Sequence, residues 1–172
     1  MFLIKKNYIF VLAIQIPIKI IIKKNKEKLK MVKSPITAQV EKLTLNNGLR
    51  VVLEKVDFFE TVSIGFWINV GSKDELPEEN GYAHFIEHML FKGTEQRNPA
   101  QIAKEIDRVG GYLNAFTTRE YTCFYVNMVA KHYKIGIDII ADMLLNSLFD
   151  ETELEREKQV VLEEIRMYDD AP

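Results

Sequence analysis

One cysteine, Cys123, stands in 172 residues, which excludes an internal disulfide framework and a cysteine-rich zinc module. No segment supplies the roughly 20 nearly uninterrupted apolar residues of a spanning helix. The longest apolar stretch, 8–22, is broken by Gln15, Pro17 and Lys19. It has the charged start of a signal peptide in Lys5 and Lys6, but lacks a clear small-x-small cleavage site. The first 33 residues contain no arginine, which argues against a mitochondrial transit peptide. There is no internal repeat. A hydrophobic fraction of 47% is ample for a core and argues against intrinsic disorder.

The net charge of −2 hides a split. Residues 1–33 carry nine lysines against the single acid Glu27, a net +8, which leaves −10 on residues 34–172. The basic segment 1–33 therefore reads as a leader or as an over-extended start, with Met31 opening a second, more typical beginning. A start at Met31 implies a cytoplasmic chain. A genuine signal or anchor in 1–30 implies membrane contact or export. The acidic body opposes nucleic-acid binding, which needs phosphate-neutralising charge.

The body alternates strand and helix signals. Segments 40–45 and 49–55 read as strands joined at Asn46-Asn47-Gly48, residues that tolerate positive φ. Segment 61–70 has period-two alternation, followed by an acidic loop. Helical spacing runs over 81–91 with Asn80 as the expected N-cap, and over 100–109 behind Pro99. Strands are expected at 112–117 and 121–129, an amphipathic helix at 131–146 and a charged helix at 152–168. The class is α+β, a largely antiparallel sheet with helices packed on one face.

His84 and His88 are four apart on one predicted helix, so at about 100° per residue their imidazoles lie roughly 40° apart and reach one ion. With Glu87 they form H-x-x-E-H, the reversed order of the H-E-x-x-H zinc-peptidase helix. Two imidazoles and a carboxylate hold zinc with one position open, where water becomes acidic near pH about 7. Glu87 suits the general base that takes the water's proton and passes it to the leaving amine. The third ligand must come from elsewhere. Glu157 and Glu164, seven apart, flank an apolar stripe of Leu154, Val161, Ile165 and Tyr168, and a carboxylate bordering a buried stripe needs a partner. Periodicity does not choose between them.

The run Gly81-Tyr82-Ala83-His84-Phe85-Ile86-Glu87-His88-Met89-Leu90-Phe91-Lys92-Gly93-Thr94 closely resembles the signature of the insulinase/pitrilysin zinc metallopeptidases, which include mitochondrial processing peptidase. The resemblance continues through Leu113-Asn114-Ala115-Phe116-Thr117-Thr118-Arg119-Glu120 and through 155–165. It implies one Zn2+ per chain on His84, His88 and Glu164, with Glu87 as base and Glu157 supporting the site without touching the metal. It implies that the strand 113–116 receives a peptide substrate, with Asn114 and Ala115 beside the scissile bond. The family's catalytic unit has two homologous domains, the second contributing an Arg-Tyr pair that holds substrate. Residues 34–172 would then be a truncated N-terminal zinc-peptidase domain, weak or inactive without a second homologous domain or partner subunit. The rival reading is a non-catalytic relative acting as scaffold or assembly partner, but such relatives typically lose ligands, and all four residues are intact here.

Overall fold

The period-two alternation at Val62, Ile64 and Phe66 becomes the buried face of a central strand in the computed structural model. Residues 10–16, 32–33, 39–55 and 60–169 are described. The strands are β1 (Phe10–Ile16), β2 (Val32–Lys33), β3 (Gln39–Thr44), β4 (Arg50–Lys55), β5 (Thr61–Ile68), β6 (Tyr112–Thr117) and β7 (Thr122–Val129). The helices are α1 (Tyr82–Leu90), α2 (Pro99–Arg108), α3 (Tyr133–Asn146) and α4 (Glu151–Asp169). No helix among the described residues is long and apolar enough to cross a membrane.

One sheet runs in the order β2-β3-β4-β1-β5-β7-β6. Every neighbouring pair is antiparallel except β1 with β4. Gly48, at φ 87°, makes the β3–β4 turn, where its N–H donates to the Leu45 carbonyl at 2.8 Å. Within the basic segment 1–33, residues 10–16 form a strand seated between β4 and β5. It stops one residue before Pro17, which has no N–H for a ladder. Met31, its neighbours in 17–31, and the end at 170–172 lie outside the described residues.

β5 ends at Ile68, two residues short of the expected 70, because the Val70 N–H turns back to the Ile68 carbonyl at 2.8 Å. Gly71 then passes against the 118–119 backbone, where a Cβ would stand 2.4 Å from the Thr118 carbonyl oxygen. The core lies between the sheet and its helices. Ile64, Phe124, Val126, Ile139, Ile140 and Met143 are wholly buried there, together with Ile102 and Ile106 of α2 and Leu90 of α1. Each such side chain contributes about 1.5–3 kcal/mol on burial. The helices thus cover one face, and β6 is left as an edge strand beside α1.

Candidate metal centre

α1 begins without the expected Asn80 cap. Its N-cap is Gly81 in the left-handed region at φ 96°, and the cap bonds come from Glu75. The Glu75 carboxylate accepts from the Gly81 N–H at 2.8 Å and the Ala83 N–H at 2.7 Å, a negative charge on the positive end of the helix. Asn80 is displaced because a short 3-10 turn, Pro77–Glu79, occupies the approach. Gly93, at φ 116°, takes the chain away after α1.

Burial of Met89 and Leu90 turns the histidine face of α1 toward α4. α4 starts on Asp150, whose Oδ1 accepts from the N–H groups of Thr152 and Glu153. It lays Glu157 and then Glu164 along α1. The His84 and His88 Nε2 atoms are 3.1 Å apart, with Glu164 Oε2 at 3.9 Å and 3.5 Å from them respectively. A tetrahedral zinc bonded at about 2.0–2.1 Å separates its ligand atoms by about 3.3 Å, so the donor set and its spacing fit zinc. Among the described residues no other group of three or more metal-capable side chains converges in this way.

Glu157 does not join the three. It is buried, accepting from His88 Nδ1 at 2.9 Å on Oε1 and pairing with Lys92 Nζ at 2.5 Å on Oε2. Burial alone would push its carboxyl up, but the bonds and charges of Lys92 and His88 outweigh this and hold it below the usual carboxylate range. With Nδ1–H committed to Glu157, His88 presents the Nε2 lone pair to the centre. Glu87 is also buried and accepts from Thr117 Oγ1 at 2.5 Å.

Thr117 closes β6, so the edge strand runs directly to the Glu87 carboxylate. Ala115 shares the Thr117 face. Asn114 is turned to the opposite face, where it donates to the Tyr112 hydroxyl at 2.8 Å and accepts from the Ala115 N–H at 2.9 Å. Cys123 is buried behind this strand, its thiol pushed up to about 12 by burial and then by the Glu87 charge, and so stays protonated.

Sequence reasoning missed three residues. Lys92 carried a signal, being four positions past His88 and one turn on along the same face. Thr117 lies in a run that resembles the family but its spacing assigns it no role, and Glu75 carries no signal, because only the fold brings them to Glu87 and to the start of α1.

A largely antiparallel sheet with an H-x-x-E-H helix, a distal glutamate and an edge strand beside it defines a metallopeptidase-type domain. Residues 50–172 match the family model described as insulinase (peptidase family M16), and the chain belongs to that family. It is 50% identical over 133 residues to an uncharacterized zinc protease, YmxG, of Bacillus subtilis, covering 77% of this chain and 32% of that protein. Over 123 residues it is 44% identical to a probable mitochondrial-processing peptidase subunit beta of Arabidopsis thaliana, covering 72% of this chain and 23% of the relative. A protease from Helicobacter pylori of known crystal structure superposes with a TM-score of 0.75 at 29% identity, over 78% of this chain and 33% of its own. The chain thus spans a third or less of each of these relatives.

Proposed function

We propose that this chain carries the zinc site and general base of a metalloendopeptidase that hydrolyses bonds in peptides or unfolded protein segments. The observation that supports it is the convergence of His84 Nε2, His88 Nε2 and Glu164 Oε2 within 4.8 Å, with Glu87 on the same helix. Zinc, when bound, supplies Lewis acidity at the scissile carbonyl and makes water acidic near neutral pH. The chain's own residues do the rest. Glu87 takes the proton from the attacking water and gives it to the leaving amine. Thr117 holds one Glu87 oxygen so that the other faces the reaction. The free edge of β6 receives the substrate as an added strand through main-chain hydrogen bonds, with Asn114 and Ala115 beside the scissile bond.

Metal analysis of the purified chain tests this reading. One zinc per chain is expected, lost in His84→Ala and in Glu164→Gln. A folded, zinc-free protein at neutral pH would favour a scaffold instead. Because the chain spans 32% of its Bacillus relative, substrate clamping is assigned to a second homologous domain or a partner subunit. The chain alone is then expected to cleave peptides weakly or not at all. Robust cleavage by the purified 172-residue chain, abolished by Glu87→Gln, would overturn that part.

A further inference from the structure

Lys92 has no role in the mechanism above, yet it holds the outer oxygen of Glu157, the carboxylate that grips His88. Its backbone is anchored on both sides. Its N–H donates to the Met89 carbonyl at 3.0 Å, and the next carbonyl, that of Gly93, accepts from the Leu148 N–H and the Ser147 hydroxyl. The Lys92 ammonium is therefore delivered from the turn that follows α1, two residues past Leu90 and four beyond His88. The cations flanking Glu157 on its own helix do not replace it. Arg156 is exposed and pairs with Glu153 at 2.7 Å, and Lys158 is exposed.

We propose that Lys92 is a positioning residue for the metal centre, clamping Glu157 so that its other oxygen fixes the His88 ring with Nε2 toward the ligand cluster. This rests on the zinc reading above. A carboxylate accepting on one oxygen only can rotate about its last bond, and the imidazole it orients rotates with it. A second bond on the other oxygen removes that freedom. Charge points the same way. Glu87, Glu157 and Glu164 put three negative charges around a divalent cation, and the Lys92 ammonium brings that set to neutrality.

The test is zinc affinity, measured by competition with a chromophoric chelator, for the wild-type chain and for Lys92→Met, Lys92→Arg, Glu157→Gln and the Met/Gln double variant. Lys92→Met is expected to bind zinc roughly 10- to 100-fold more weakly, with Lys92→Arg recovering most of the loss. The double variant should bind within about twofold of Glu157→Gln alone, because Lys92 acts through that carboxylate. Cobalt(II) loaded in place of zinc should show shifted ligand-field bands in Lys92→Met, which a merely stabilising lysine would not produce. Should Lys92→Met fail to give a folded circular-dichroism spectrum, Lys92→Gln replaces it with the same expectation. Wild-type zinc binding with unchanged affinity in the folded Lys92 variant overturns this inference alone, as does a full Lys92 effect in the Glu157→Gln background. Absence of zinc from the wild type overturns the metal reading and this one together.

Discussion

Thr117 Oγ1 lies 2.5 Å from Glu87 Oε2, joining the last residue of the edge strand to the carboxylate between the two histidines. The Thr122 hydroxyl stands 3.3 Å behind Thr117 and donates to the Val70 carbonyl. The proposed base is thus held by the strand proposed to receive substrate, and that strand is held in turn by its ladder with β7, whose Thr122 is tied to the Val70 carbonyl just past β5.

Replacing Thr117 with Val keeps the shape and removes the donor. It leaves a buried carboxylate oxygen short of its partner, which costs about 1.5–3 kcal/mol for a hydrogen bond to a charged group. Urea unfolding of Thr117→Val should show a loss of that size, and Thr117→Ser less than half of it. Zinc affinity should be nearly unchanged in both, because Glu87 is not among the three converging donors. A Thr117→Val protein as stable as the wild type would show that this bond does not hold Glu87.

Glu75 supplies both cap bonds of α1 from a loop, six and eight positions upstream of the N–H groups it binds. Glu75→Ala should cost about 1–2 kcal/mol, the range of a lost helix cap with its favourable charge. The damage should be local. Amide exchange is expected to speed up in the first turn, which carries His84, while α3 keeps its protection. Equal acceleration across both helices would contradict a capping role.

Local pattern made much of this architecture legible. Period-two alternation gave β5 and β7 within two residues of their ends, and the Asn-Asn-Gly turn marked the β3–β4 hairpin. The pair His84 and His88 needed only the pitch of a helix. The division of labour between Glu157 and Glu164 was different, because a heptad puts both on one face of α4. What separates them is the height at which α4 crosses α1. Glu157 meets the Nδ1 side of His88, and Glu164 meets both Nε2 atoms. That is a tertiary quantity, as is the register that sets Thr117 against Glu87, and neither leaves a mark in spacing. The strand at 10–16 was hidden for another reason. Its apolar run has the look of a membrane span or signal, while its seat lies between strands whose partner residues are 39 to 58 positions downstream.

Arg97 binds the segment after α1 to α3, donating to Asp142 at 2.8 Å and Asp138 at 2.6 Å as well as to Glu105 on α2. Burial would raise the Asp142 carboxyl, but bonds from Asn146, Thr94 and Arg97 outweigh it and leave it below the usual aspartate value. A carboxyl depressed in the folded state stabilises above its unfolded pKa of about 3.9 and loses that contribution as pH falls through the folded value. Asp142→Asn should therefore cost about 1.5–3 kcal/mol at pH 7. The gap between variant and wild type should narrow as pH is lowered below about 4. Urea midpoints across that range measure both. A gap that is constant down to about pH 2 would mean that the Asp142 charge contributes nothing.

β1 pairs in parallel with β4 from Val11 to Ile16 and antiparallel with β5 from Phe10 to Gln15. Neighbouring strands lie about 4.8 Å apart, so removing β1 leaves β4 and β5 separated by about 9.6 Å, with two inner edges whose N–H and C=O groups have lost their partners. A chain begun at Met31 should therefore be less stable than the full chain. Amides of β4 and β5 should exchange faster, and those of β6 and of its ladder with β7 should be nearly unaffected. The metal centre, built on α1 and α4 beside β6 and separated from β1 by β5 and β7, should keep most of its zinc affinity wherever the shortened chain remains folded. Comparing 1–172 with 31–172 by urea unfolding and amide exchange decides the matter. Equal midpoints, with β4 and β5 still protected, would mean that β1 contributes nothing to the stability of the sheet.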